Sequence, residues 1–214
     1  MIDDLWPTFK LAITTPRLQL RVPREAEIAQ LAELAGRGIH HDSERPFLTP
    51  WTDGSAKDRA EVVLQSYWSE LAEWRVDNWS LGMGAFTTSG EPVGMVTLRA
   101  QDFPVVREVT TTSWLGLQHH GQGLGTEARK GILTLAFDHL GADAARSEVF
   151  QDNHASQAIS RKLGYQFDGI SRDSRGSEVL TSDRLRLSRS RWADVPTAGI
   201  VLDGIDACRH MFEG

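Results

Sequence analysis

The chain holds a single cysteine, Cys208, among 214 residues. One thiol excludes an internal disulfide and suits a reducing compartment, so folding has to rest on an apolar core. No run of about eighteen uninterrupted apolar residues occurs, which leaves no candidate for a membrane-spanning helix. Positive charge is also short: 23 Lys and Arg against 29 Asp and Glu give a net charge of −6. Such a surface disfavours nucleic acid as the main partner, because phosphates need a basic face, and it welcomes a cationic substrate. The opening MIDDLWPTFK carries Asp3 and Asp4 where a secretory leader carries Lys or Arg, and no apolar segment follows. These absences lead to the expectation of a cytoplasmic protein working without membrane or nucleic-acid partners.

What is present is ordinary for a globular protein: 40% hydrophobic residues, 24% charged, and seven Trp. The length suits one domain with a substantial core. Thr15 to Pro23 alternates Leu18, Leu20 and Val22 with polar neighbours, the period of a half-buried strand. Ile28, Leu31 and Leu34 then follow helical spacing up to Gly36, and Val63, Tyr67, Leu71 and Trp74 repeat it from Ala56 onward. Three strand-like runs come next, NWSLGMGAFTT, PVGMVTLRAQ and EVTTTSWLGL. Ser89-Gly90-Glu91-Pro92 joins the first two as a turn, so the three read as an antiparallel meander. A helix is expected from about Thr126 to Leu140, then a strand in ARSEVFQ, a short helix in SQAISRKLG, a strand in YQFDG and a last strand within SDRLRLSRSRW. The order is mixed α/β without the regular alternation of a doubly wound sheet. Residues 193–214 read as a C-terminal extension of a domain spanning 1–192, with a short strand and a helical turn, packing on that domain or on a partner subunit.

Between the third meander strand and the next helix lies LQHHGQGLGTEA, with glycines at 121, 123 and 125. Alternate glycines let successive N–H groups converge, and a helix start adds the positive end of its dipole, which together make a site for phosphate. A Walker loop needs Lys then Ser or Thr after its last glycine, whereas Thr126 and Glu127 stand here. A Rossmann fingerprint needs Gly or Ala where Thr126 stands, and the meander before it is antiparallel. A tight turn that binds nothing is the remaining plain reading.

HGQGLGTEA resembles the pyrophosphate loop of the GNAT superfamily of acetyl-CoA-dependent N-acetyltransferases. Two registers fit its pattern of Arg or Gln, two residues, Gly, any residue, Gly or Ala. One begins at Gln118. The other begins at His120 and sets the glycines against the helix, and is preferred here with His120 as a departure. Downstream, NHASQAISRKLGYQFDG is similar to that superfamily's second signature. TPRLQLR and WLGLQHHGQGLGTEA are most similar to the RimJ/RimL-like branch, named for ribosomal-protein alanine acetyltransferases. The resemblance spans roughly Thr15 to Trp192. It implies a central, mostly antiparallel twisted sheet of about seven strands flanked by about four helices and splayed between the fourth and fifth strands.

The same resemblance implies acetyl transfer from acetyl-CoA to a primary amine, a protein N-terminus or a small molecule, by direct attack in a ternary complex, with no metal. The competing class is a non-catalytic acyl-CoA-binding or regulatory module. By the resemblance, Leu115, Gly116 and Leu117 pair with pantetheine, and His120, Gly121, Gln122, Gly123, Leu124, Gly125 and Thr126 hold the pyrophosphate. Asn153 is an anchor for pantetheine or substrate, and Ser156 is the thiolate partner and acid. Ser160 stands where many members carry a Tyr acid. Glu108 is the first candidate base, with Asp183 and His119 as others; the position where this branch often places its Glu holds Thr110. Trp51, Trp68, Trp74 and Trp79 are candidates for an acceptor wall or for plain core. The adjacent pairs His40-His41 and His119-His120, and Cys208 with His210, lack metal-ligand spacing. A homodimer is expected.

Overall fold

The computed structural model describes residues 1–175 and 177–213. Among the described residues nine strands form one sheet. In chain order they are β1 (Ala12–Thr14), β2 (Leu18–Arg21), β3 (Asn78–Thr87), β4 (Pro92–Gln101), β5 (Glu108–Leu115), β6 (Ala144–Phe150), β7 (Gln166–Arg175), β8 (Glu178–Ser188) and β9 (Val201–Asp203). Their order across the sheet is β7-β8-β6-β5-β4-β3-β2-β1-β9. All neighbours are antiparallel except β5 and β6. The longer helices are α1 (Glu25–Arg37), α2 (Ala56–Ala72), α3 (Leu124–Thr134) and α4 (His154–Lys162). Among the described residues no helix is long and apolar enough to cross a membrane.

Each element follows from its local pattern. In β2, Leu18 and Leu20 are buried and alternate with half-buried Gln19 and Arg21. In α1, Ile28, Leu31, Leu34 and Ala35 form the buried stripe. Ser55 caps α2 by accepting from the Asp58 N–H, while Asp58 accepts from the Ser55 N–H, a reciprocal capping box. Gly90, at φ +89°, turns β3 into β4 as the Ser-Gly-Glu-Pro stretch foretold.

Two expectations shift. The helix after the glycines begins at Leu124, two residues early, because Gly123 at φ +79° stops the preceding loop and Gly125 already sits in the first turn. Its end widens, with the Leu140 N–H bonding the Leu135 carbonyl five residues back. The sheet also has nine strands where about seven were expected. The short β1 and β9 make the difference: three residues are too few for β1 to show a periodicity, while β9 is the short strand expected in the C-terminal extension.

β9 comes from the C-terminal extension and pairs with β1 through Ile13↔Leu202. Beyond it, Phe212 is fully buried and meets the rings of Trp74 and Trp79 edge-on. Trp79 also packs against Phe103. This aromatic cluster lies away from the glycine loop, on the side where β3 begins and β4 ends.

Candidate active site

The sheet opens at its parallel pair. β5 and β6 are in register at Glu108↔Ala144, Val109↔Ala145 and Thr110↔Arg146 and pair no further. Beyond Thr110, β5 continues for five residues beside β4 while β6 turns toward β8. On the other side of β5, the Gly116 N–H donates to the Val93 carbonyl at 3.0 Å. The alternation of an antiparallel ladder then turns the backbone polar groups of Ser113 and Leu115 away from β4, into the wedge. These main-chain groups line one wall of the opening. Side chains alternate by face. The sites of Leu115 and Ser113 look toward α3, while Trp114 looks to the opposite face, where it meets Trp51 at a ring distance of 6.3 Å.

The glycine loop closes the open end of the wedge. After Leu117–His119 forms a single tight turn, Gly121 and Gly123 take φ values of +73° and +79°, a region that costs other residues about 1–2 kcal/mol. Space around Gly121 is open. Gly125 has an ordinary φ and is small for packing, since a Cβ there would lie 3.3 Å from Ile159 and 3.4 Å from Leu115. No side chain caps α3. The first amide turned back into the chain is that of Glu127, which bonds the Gly123 carbonyl, so the amides from Gly121 to Thr126 have no acceptor among the described residues. A curved row of free N–H groups at a helix start is a cradle that fits a diphosphate.

Arg17 braces this cradle, a role that sequence reasoning missed. Its Nε and Nη2 bind Glu127 Oε2 at 2.7 and 2.6 Å, and its Nη1 donates to the Gln122 carbonyl at 2.9 Å. Glu127 Oε1 also accepts from the Thr15 hydroxyl and the Arg17 N–H. Burial works to raise the Glu127 pKa, but these donors outweigh it and hold the carboxylate below its ordinary value. The signal was available: TPR and GTE are the two stretches that carry the resemblance, and here they are in contact.

The other candidates divide. His120 turns its Nε2 to the Leu115 carbonyl at 3.1 Å, facing the strand end. Gln122 Nε2 donates to the Gln118 carbonyl, closing the loop on itself. The Leu117 N–H bonds the Gly38 carbonyl, so of the three residues expected along pantetheine it is Leu115 whose N–H is left facing the wedge. Asn153 caps α4 through Oδ1, which accepts from the Ser156 N–H at 3.1 Å. The Ser156 side chain is half-buried at the first turn of the same helix. Ser160, four residues on, is fully buried.

The three candidate bases are not brought together. Glu108 lies at the closed end of the wedge, seven residues and about 23 Å of strand from Leu115. There it pairs with Arg186, Nε to Oε2 at 2.9 Å. Asp183 accepts from the side-chain amides of Gln151 and Gln157, at 2.9 and 3.0 Å. His119 is 9% exposed, and its Nε2 has no hydrogen-bond partner. Cys208 is buried, and burial pushes its thiol up to about 11, which leaves it protonated and unreactive at neutral pH. Among the described residues no group of three or more His, Cys, Asp or Glu could hold a metal.

The loop between α1 and α2 covers the Trp114 face. His40, Phe47 and Trp51 form a row of tilted rings leading to it, with ring distances of 6.3 and 5.2 Å. His40 Nε2 contacts the Thr52 hydroxyl at 2.8 Å, and Asp53 reaches Arg175 of β7 at 2.6 Å. Of the four expected tryptophans only Trp51 stands here, since Trp74 and Trp79 belong to the aromatic cluster and Trp68 is exposed on α2. A separate groove of about 540 Å³, lined in part by Ser66, Glu70, Glu73, Asn78 and Arg99, lies at the other end of β4. Arg99 pairs with Thr110, so the groove is about 17 Å of strand from Leu115.

Residues 17–166 match the acetyltransferase (GNAT) domain family. Solved structures share the fold at low identity. A Vibrio cholerae protein provisionally described as a ribosomal-protein-serine acetyltransferase is 19% identical with a TM-score of 0.62, over 83% of this chain and 97% of the other. RimL, the ribosomal L7/L12 alpha-N-protein acetyltransferase, in its complex with coenzyme A gives 15% and 0.61, over 82% and 96%. A chimera built on the spermidine N-acetyltransferase SpeG of Vibrio cholerae gives 14% and 0.61, over 83% and 99%. With the wedge, the free amides at the start of α3 and a family match covering most of its length, the chain belongs to the GNAT acetyltransferase family.

Proposed function

We propose that the protein transfers the acetyl group of acetyl-CoA to a primary amine by direct attack within a ternary complex. One observation carries this reading: the N–H groups of Ser113 and Leu115, turned away from β4, lead along the wedge to the free amides of Gly121 to Thr126. In this reading those amides hold the pyrophosphate, and Leu115 pairs with the pantetheine arm. The Ser113 N–H lies deeper and faces the thioester carbonyl, where a fixed donor stabilises the oxyanion that forms on attack. A main-chain site of this kind tolerates His120 in place of a longer donor.

The acceptor approaches from the opposite face, past Trp114, Trp51, Phe47 and His40. Aromatic faces attract an ammonium group, and the net charge of −6 favours a cation's approach. Before attack the amine must lose a proton, since alkylammonium groups resemble lysine with a pKa near 10.4. Ordered water between the aromatic wall and solvent is the route we assign, because Glu108 and Asp183 are engaged elsewhere.

Thiol release from acetyl-CoA, followed across a panel of polyamines, aminoglycosides and N-terminal peptides, tests the reading. Turnover with at least one amine supports it. Tight CoA binding without turnover on any amine would make the protein a non-catalytic acyl-CoA module.

A further inference from the structure

Arg129 is the unusual residue of the wedge. It sits on α3 among buried Leu124, Ala128, Ile132 and Leu133, is 4% exposed, and has no carboxylate partner among the described residues. Its Nη1 donates to the Ser160 hydroxyl of α4 at 3.2 Å and its Nη2 to the Ser113 hydroxyl of β5 at 3.3 Å, while Nε has no partner. The guanidinium thus bridges the two sides of the wedge beneath the Ser113 backbone. The Tyr165 phenol is buried beside it and faces the Thr111 hydroxyl. Burial disfavours the cation and lowers its pKa, and burial likewise pushes the Tyr165 phenol up, so neither supplies a compensating negative charge. An unpaired buried cation is costly.

We propose that Arg129, with Ser113 and Ser160, forms a buried anion site that receives the negative charge of the departing CoA thiolate. This rests on the reading of the wedge given above. Ser160 stands where the family resemblance places a Tyr acid, and charge stabilisation by Arg129 takes over that task. Both serine oxygens accept from the cation, so their own O–H protons are directed away from it and polarised as donors. The amine nitrogen forms the C–N bond, and the C–S bond breaks with its electron pair on sulfur. The nitrogen gives up a proton to water. The thiolate stays against the hydroxyls that Arg129 polarises until water protonates it on release as CoA, so no protein acid is consumed. Arg129 acts through the two hydroxyls and is a positioning residue.

The test uses CoA itself. A cation at this range lowers the pKa of a bound thiol by about one to three pH units from roughly 8.5. Wild-type protein should therefore bind CoA about tenfold more tightly at pH 9 than at pH 6, with thiolate ultraviolet absorbance appearing below the free thiol's range. S-methyl-CoA, which has no thiol, should lack this gain. That comparison removes titration of His119, His120 and Tyr165, which also face the loop or the wedge, and of the Glu127–Arg17 pair on the far side of α3. Arg129→Met should bind CoA within threefold of wild type at pH 6, lose the pH 9 gain, and turn over at least tenfold more slowly. Arg129→Lys should restore part of both, and Ser160→Ala should keep part of the gain, which covers the case of a poorly folded Met variant. A wild-type protein that binds CoA at pH 6 but shows the same pH profile for CoA and S-methyl-CoA would overturn the proposal. So would an Arg129→Met variant with an unchanged profile. Failure to bind CoA at pH 6 at all would instead overturn the reading of the wedge.

Discussion

At the scale of single residues, the glycine loop depends on contacts that lie outside it. Glu127 gathers donors from Thr15 and Arg17, and Arg17 passes one more bond to the Gln122 carbonyl. Glu127→Gln should destabilise the protein by about 1–2 kcal/mol at pH 7 through loss of charge-assisted bonds and weaken CoA binding several-fold, measured by thermal unfolding and calorimetry. The pH dependence has a definite sign. The folded-state pKa is depressed, so the stabilisation is fully present above the ordinary value of 4.5 and is lost as pH falls through the lower folded value. The gap in Tm between wild type and Glu127→Gln should therefore hold from pH 7 to 5 and close below about pH 4. The stretch around Arg17 was part of the resemblance, but its role was not legible because nothing near it in sequence has anything to do with phosphate. Only the contact with Glu127, more than a hundred residues away, gives it a role.

At the scale of elements, the start of α3 and the start of α4 make different demands. Gly123→Ala places a side chain at φ +79° and 3.4 Å from Arg17 Nη2, whereas Gly125→Ala only tightens contacts with the mobile ends of Ile159 and Leu115. Titration with CoA should show at least a tenfold loss for Gly123→Ala and less than threefold for Gly125→Ala; equal losses would show that the loop does not read φ. In α4, Asn153→Ala removes the cap and should cost about 1 kcal/mol of stability. If Ser156 and Ser160 depend on the placement of that helix, turnover should fall by more than CoA affinity does, which steady-state kinetics beside calorimetry will separate. The pattern of glycines was legible in the sequence. Which of them turn the chain was not, because only the fold shows that Gly121 and Gly123 carry the positive φ and that Gly125 sits inside the helix.

At the scale of the whole molecule, the C-terminal segment belongs to the sheet and the core. β9 lengthens the sheet beyond β1, and Phe212 fills the aromatic cluster with Trp74 and Trp79. Phe212→Ala should lower stability by about 3–5 kcal/mol, the usual cost of deleting a buried ring. Removal of residues 193–214 should leave a protein that unfolds without a cooperative transition in denaturant, and a truncated chain with wild-type Tm would refute this. The sequence by itself determined the mixed α/β order, the antiparallel meander, the glycine nest and the family resemblance, because periodicity and turn chemistry are local and survive without context. Tertiary structure alone decided which groups share a site. It parted β5 from β6 after Thr110, moved Glu108 to the closed end, tied Arg17 to Glu127, and buried Arg129 without a counter-charge between Ser113 and Ser160. The physical reason is common to all four: hydrogen bonds and desolvation depend on distances between segments far apart in the chain, and no local pattern encodes those distances.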